Sequence, residues 1–389
     1  MKLAYVTVND VLNKNVWSKN EQGLWAASYH IAKHLADDFN SIHYITPKEK
    51  NFAALTRIKW TYYRNLFNKD YYRWTEPIVL KDYARQIKNQ LLNLQADAVI
   101  CPENIVPIAY LDCKQPIVLW TDSTLSSLIN FYPHMDNLCR ESIKNIYKNE
   151  AEALRRCNLL IYTSDWAAQN AIDIYNVSPD KIKILPWCAN FDCKRNLEDI
   201  HSLLKSKPCY PIKLLFIGVN WLRKGGETAL QVAKELNEQG FKTELIVVGC
   251  KPQTDRELPN FVKVIEFIDK SKPKGVAELN KLFAEAHFLI LPSLADCTPI
   301  VFSEANSFAL PCLSTNVGGI PTIVQNGCNG QTFSLKSAAS EYCTYIRTLI
   351  EDYQQYKQLA LSSFEQYQVR LNWNVTVKQA KRLISELIS

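Results

Sequence analysis

Several things are scarce in this chain of 389 residues, and each scarcity narrows the choices. No apolar run approaches the roughly 18 residues a membrane-crossing helix needs. The opening stretch, Met1 to Val8, is too short for a secretory leader and runs straight into strand-like sequence. No Asp-x-Asp pair occurs, so the commonest two-carboxylate metal motif is missing. The 12 cysteines include no Cys-x-x-Cys, and the closest two are Cys188 and Cys193. Zinc-ligand spacing is therefore absent. Most of the cysteines sit inside apolar strings such as Val99-Ile100-Cys101, which suits reduced core thiols in a reducing compartment. A formal net charge of +6, dispersed along the chain, is too weak for a nucleic-acid binder but favours anionic ligands such as phosphates.

Glycine is the most informative scarcity. There are only 11, and ten lie between Gly218 and Gly330; the first half has Gly23 alone, placed in the loop after the first strand. Glycine marks left-handed backbone or close approach, so the tight loops belong to the second half.

What is present is a strand–helix alternation. Short β-branched runs fall at Leu3–Val8, 42–46, 98–101, 117–121, 159–163 and 182–185, with helical patterns between them. The rhythm breaks over 191–211, which is polar and Lys-rich. It restarts at 212–217, 243–248, 262–266, 288–291 and 312–314. Alternation of this kind predicts parallel sheets covered on both faces. The expected fold is α/β: two tandem Rossmann-like doubly wound domains facing a central cleft. The expected divisions are residues 1–190, a linker at 191–211, a second domain over 212–370, and a final helix over 371–389.

Three constellations carry chemistry. In Gly218-Val219-Asn220-Trp221-Leu222-Arg223-Lys224-Gly225-Gly226, a strand ends, two cations follow, and a helix begins. Backbone N–H groups, the helix dipole and the cations together suit a phosphate. A glycine turn between solvated cations is the plainer reading. In the second, Asp296 leads through Thr298-Pro299 into a helix extending to about Leu310, with Thr298 as the expected cap and Pro299 the first helical residue. Glu304 lies one turn in and would accept from a ribose diol, or would simply be a solvated glutamate. The third, Val317-Gly318-Gly319-Ile320-Pro321, is a further strand-to-helix turn whose nitrogens could line the same cleft.

The ordered set Gly218…Arg223-Lys224-Gly225, Pro292-Ser293, Asp296-x7-Glu304-Ala305 and Val317-Gly318-Gly319-Ile320-Pro321 resembles the group 1 (family 4) retaining glycosyltransferases, with their glycosyltransferase-B fold. Glu152-Ala153-Leu154-Arg155-Arg156 and Ser164-Asp165-Trp166-Ala167 extend the resemblance upstream, so it covers about residues 140–335. It implies transfer of a sugar from a nucleotide-sugar donor to a glycan, lipid or small-molecule acceptor, with retention. It implies that Arg223 and Lys224, with Gly218 and the backbone at Thr298 and Ile300, hold the donor diphosphate. Glu304 would hold the ribose and Asp296 would lie near the sugar, with no metal or other cofactor required.

The sequence departs from the pattern where the first acid is Asp, where Thr322 replaces the usual Glu, and where the loop after the first strand is reduced to Trp17-Ser18-Lys19-Asn20-Glu21-Gln22-Gly23. The family's N-domain histidine is not evident; Asp122 stands at a strand end instead, either to aid acceptor deprotonation or to cap a helix. These departures leave open a catalytically silent nucleotide-sugar-binding subunit, and the fold also serves sugar phosphorylases and epimerases. Finally, ten Lys or Arg between Lys48 and Lys88 interleave with aromatics such as Trp60, Tyr62, Phe67 and Trp74. The pattern fits a cytoplasmic protein in peripheral contact with the inner face of an anionic membrane, or helices packing aromatic stems beneath solvated cations.

Overall fold

The computed structural model describes residues 1–13, 22–49, 51–191, 193–253, 257–270 and 272–389. Of the shortened loop singled out above, Trp17 to Glu21 lie outside the described residues, as does Lys50 of the basic–aromatic stretch. The chain forms two compact units, Met1–Trp187 with Thr376–Ser389, and Cys188–Val375.

The first unit is a six-stranded parallel sheet in the order β2-β1-β3-β4-β5-β6. Its strands are β1 (Lys2–Val6), β2 (Ser41–Ile45), β3 (Ala98–Pro102), β4 (Ile117–Thr121), β5 (Leu159–Tyr162) and β6 (Ile182–Ile184). β3, β4 and β5 are buried along their whole length, as expected of strands covered on both faces. Its helices are α1 (Gln22–Leu35), α2 (Ala53–Phe67), α3 (Pro77–Leu94), α4 (Arg140–Arg156) and α5 (Asp165–Tyr175). Gly23 sits in the first turn of α1, not in the loop before it. α2 is a helix the strand–helix rhythm did not reveal: only Thr56 of its 15 residues is buried, so no core-facing stripe marks it.

The second unit begins with α6 (Leu197–Ser206), inside the segment expected to be a linker. Asn196 and Asp199 form a reciprocal capping box, each accepting from the other's backbone N–H at 2.9 Å. Ile200 and Leu204 are buried in the second core. Leu203 packs against the same core, and the apolar residues recur at helical spacing; the polar, Lys-rich residues around them are what read as a linker in sequence. The rest comprises β7 (Ile212–Ile217), α7 (Gly226–Glu238), β8 (Thr243–Val248), β9 (Val262–Ile265), α8 (Pro273–Glu285), β10 (Phe288–Leu291), α9 (Ile300–Asn306), β11 (Cys312–Thr315), α10 (Ile320–Ile323), β12 (Gly330–Phe333), α11 (Ala339–Glu351) and α12 (Tyr353–Arg370). A final helix, α13 (Trp373–Ile388), returns the chain to the first unit, where Lys381 pairs with Asp37.

The second sheet runs β12-β11-β10-β7-β8-β9, all parallel. Counted from its own first strand this is the Rossmann order, and the direction of winding reverses between β7 and β10. In open α/β sheets the ligand crevice lies beyond the carboxyl ends of the strands at that reversal. In the first sheet the reversal falls between β1 and β3. All twelve cysteines are free thiols.

Candidate functional site

The loop that follows β7 is built to press against the loop that follows β10. Asn220 organises the turn: its side-chain oxygen accepts from the Arg223 N–H at 2.9 Å and its carbonyl from the Lys224 N–H at 3.1 Å. Gly225 then adopts φ +75° as the cap of α7. A Cβ there would lie 1.9 Å from the Pro292 carbonyl oxygen, so only glycine permits both the left-handed turn and the approach. The Leu294 N–H completes the junction by donating to the Arg223 carbonyl at 2.7 Å.

This junction converges three charges. Arg223 Nη1 donates to the Ala295 carbonyl at 2.7 Å and to Asp296 Oδ2 at 3.3 Å, and Lys224 Nζ donates to the same Asp296 oxygen. Lys224 and Asp296 are both buried. Burial pushes the Lys224 ammonium below its usual range; Asp296 opposes that shift and Arg223 adds to it. The Gly319 N–H donates to the Asp296 carbonyl at 3.3 Å, and Gly318 (φ +53°) precedes it, so the turn after β11 supports the Asp296 loop. Ser293 beside them is fully buried, and its hydroxyl has no hydrogen-bond partner among the described residues.

The helix after Asp296 differs from expectation at both ends. Its cap is Pro299, not Thr298, and Ile300 is its first helical residue. It ends at Asn306, where the bonds tighten to i−3 turns, Phe308 N–H to the Ala305 carbonyl at 2.9 Å and Ala309 N–H to the Asn306 carbonyl at 3.0 Å, and Ala309 then turns left-handed at φ +53°. Thr298 is buried in the preceding loop. Glu304 is not a solvated surface glutamate: it is 1% exposed, and both its oxygens accept from Lys270 Nζ, at 2.9 and 2.8 Å. Lys270 comes from the loop after β9. The sequence offered no signal for it, since it belongs to a run with Lys272 and Lys274 that reads as an ordinary solvated loop.

Gly218, Arg223, Lys224, Asp296, Thr298, Ile300, Glu304, Gly318 and Gly319 thus all belong to the second unit, in or beside the loops that follow its strands. Asp122 and Gly23 belong to the first. Asp122 follows β4 and accepts from the Ser123 hydroxyl at 3.2 Å. It does not cap the short 3-10 turn at Ser126–Leu128: the N–H groups of Leu125 and Ser126 donate to buried Glu150, at 2.6 and 3.0 Å. At the reversal of the first sheet lies a carboxylate that sequence reading passed over. Glu103 is buried after β3 with φ +81°, rare for a residue with a side chain, and accepts from Asn9 Nδ2 at 2.7 Å. No cluster of three or more metal-ligating side chains occurs among the described residues, and no described helix is long and apolar enough to cross a membrane.

Comparison with known proteins fits this geometry. Residues 211–352 match the family described as Glycosyl transferases group 1. The D-inositol 3-phosphate glycosyltransferase of Corynebacterium aurimucosum is 21% identical over 282 residues, 69% of this chain and 66% of that relative. The chain spans less of the corresponding enzymes of Acidothermus cellulolyticus and Corynebacterium diphtheriae, 43% and 50%. Among solved structures, the sucrose-phosphate synthase of Thermosynechococcus elongatus superposes with a TM-score of 0.69 at 14% identity, covering 99% of this chain and 98% of that one. Anabaena HepE in complex with UDP-glucose gives 0.63 at 15% identity, covering 99% and 100%. The two Rossmann-like units are those of the glycosyltransferase-B fold.

Proposed function

We infer that this chain, whose residues 211–352 are those of a group 1 glycosyltransferase, transfers a glycosyl group from a nucleotide sugar bound by its second unit. The observation that carries the reading is the pairing of Arg223 and Lys224 beyond β7, at the reversal of a Rossmann sheet. That is where such sheets take nucleotides, and the cations suit a diphosphate. The UDP-glucose complex of HepE, a structure of the same fold, agrees with it.

In this reading the bond between the anomeric carbon and the diphosphate oxygen breaks. The nucleoside diphosphate leaves with the electron pair, and the acceptor oxygen forms the new bond on the same face, with retention. Arg223 and Lys224 neutralise the charge that develops on the leaving group, assisted by Gly218 and by the backbone at Thr298 and Ile300. Preorganised charge of this kind is commonly the largest catalytic contribution, and it supplies the role a metal would otherwise fill. Asp296, which bridges both cations, would exchange them for the diphosphate and turn toward the sugar. Glu304 accepts from the ribose diol. Gly318 and Gly319 hold the Asp296 loop. Asp122 and the segment around Gly23 serve the acceptor, a glycan, lipid or small molecule.

Helix α2 suggests where the acceptor is met. Leu55, Ile58, Tyr62 and Leu66, spaced by three and four residues, form one exposed stripe; Ile58 and Leu66 are each 67% exposed. Several nearby cations are engaged within the unit, Lys59 with Glu76 and Glu141 and Arg64 with Asp70. The apolar stripe, more than charge, therefore favours peripheral contact with a membrane surface at the cytoplasmic face.

Incubation with UDP-, GDP- and ADP-hexoses and a panel of acceptors tests the reading. Glycosylated product with the donor's anomeric configuration supports it. Sugar 1-phosphate formed only with inorganic phosphate would indicate a phosphorylase, and an epimerised donor an epimerase. Tight nucleotide binding with no turnover would indicate a silent binding subunit.

A further inference from the structure

The pair formed by Lys270 and Glu304 has a consequence for how the donor enters. Glu304 is fixed. It sits in the middle of α9 with Ser303, Ala305 and Asn306 buried around it, and its carbonyl accepts from the Ser307 hydroxyl at 2.7 Å. Lys270 is not fixed in this way. Its side chain is 40% exposed, against 1% for that of Glu304, and it reaches in from a loop. A single ammonium meets both carboxylate oxygens, at 2.9 and 2.8 Å. Two adjacent hydroxyls donating to one carboxylate require the same two oxygens that Lys270 meets. A carboxylate this deeply buried needs a partner at all times, because an uncompensated buried charge is strongly unfavourable.

We propose that Lys270 is a built-in competitor for the ribose seat: its ion pair with Glu304 is exchanged for the vicinal diol when a nucleotide binds. This rests on the donor reading of Glu304 given above. Lys270 acts through Glu304 and is a positioning residue that sets donor affinity. It also sets selectivity, because a sugar that offers one hydroxyl repays the broken ion pair less well than one that offers two.

The test is calorimetric titration of the full-length protein with UDP and with 2′-deoxy-UDP, or with the guanine pair if the protein prefers it. Lys270→Met is expected to bind UDP at least fivefold tighter than the wild type and to prefer UDP over 2′-deoxy-UDP by a larger ratio. Its melting temperature without nucleotide is expected to fall while the UDP-induced rise grows. Lys270→Arg, which keeps the charge and can grip both oxygens, is expected to bind UDP several-fold more weakly, and it serves if the methionine variant does not fold. Unchanged or weaker UDP binding by Lys270→Met, or tighter binding by Lys270→Arg, overturns the exchange. Glu304→Gln separates the two levels of the argument. If it weakens UDP binding while the Lys270 variants fail their expectations, the donor site stands and the exchange is wrong. If Glu304→Gln binds UDP as the wild type does, or no nucleoside diphosphate binds the wild type, the donor reading fails and the exchange with it.

Discussion

Lys224→Met removes one of the two cations that share Asp296 and keeps the volume and apolar stem of the side chain. Two effects follow and can be measured apart. The first is on the free protein. Asp296 is 6% exposed, and after the substitution it keeps only Arg223, at 3.3 Å. Breaking a buried ion pair from one side costs about 3–5 kcal/mol, and the remaining guanidinium places this case near the lower end, about 3 kcal/mol. The second effect is on the ligand. Losing a hydrogen bond between charged groups costs about 1.5–3 kcal/mol, or roughly 10- to 150-fold in nucleoside-diphosphate affinity. Asp296→Asn has a comparable effect on stability but the opposite effect on binding: it releases both cations, so UDP binds as tightly as before or tighter while sugar transfer falls. Urea unfolding gives the first quantity and calorimetry the second. A Lys224→Met variant that binds UDP with wild-type affinity, or an Asp296→Asn variant that binds it more weakly, would refute the assignment of this pair to the diphosphate.

Other expectations concern the rest of the molecule. Burial lowers buried Lys207 to about 7, with Lys213 adding to the shift. The unfolded chain holds that proton up to the ordinary lysine range, so between pH 7 and about 10 the unfolded state binds more protons and stability rises with pH. The penalty is fully present below pH 7, where it reaches at most roughly 5 kcal/mol; urea midpoints of Lys207→Met should lie above wild type at pH 6 and converge toward it as the pH approaches 10. Gly225→Ala is expected to unfold the Arg223–Lys224 loop or the whole second unit, seen as loss of nucleotide binding with a lowered melting temperature. Turnover is expected to survive EDTA, since Arg223 and Lys224 supply the positive charge; a strict Mg²⁺ or Mn²⁺ requirement would contradict this. Sedimentation with anionic liposomes should persist at moderate salt if the Leu55–Leu66 stripe inserts, and Ile58→Asp with Leu66→Asp should abolish it.

The parts of the fold legible in the sequence are those where one physical signal dominates. Buried parallel strands such as Ile117–Thr121 and Thr243–Val248 contain continuous apolar runs, Ile117–Trp120 and Leu245–Val248, that show where they lie. β12, Gly-Gln-Thr-Phe at the sheet edge, has no such run and could not be seen. α2 buries a single residue, so its apolar residues face solvent and mark no core; α6 does carry Leu197, Ile200, Leu203 and Leu204 at helical spacing, but inside a polar, Lys-rich segment that reads as a linker. The crevice of the second unit was legible because glycines and cations cluster at strand ends. What completes it was not. Lys270 meets Glu304 across 34 residues of chain, from a loop beyond β9, and no local pattern encodes a contact between such distant segments. Likewise Glu103 announces itself only through its backbone angle.

The return of α13 to the first unit gives the order of synthesis a physical meaning. The first 187 residues leave the ribosome without the helix that finishes their unit, in which Lys381 meets Asp37 and the Ser385 hydroxyl meets the Met1 sulfur at 3.6 Å. At about 5–20 residues per second, the whole of Cys188–Val375 is made before that helix appears, a delay on the order of tens of seconds. Meanwhile the surface that α13 will cover stays open to solvent and to chaperones. Protease added to stalled nascent chains should therefore cut the first unit readily until the last turn of α13 has emerged, even though the second unit was completed earlier.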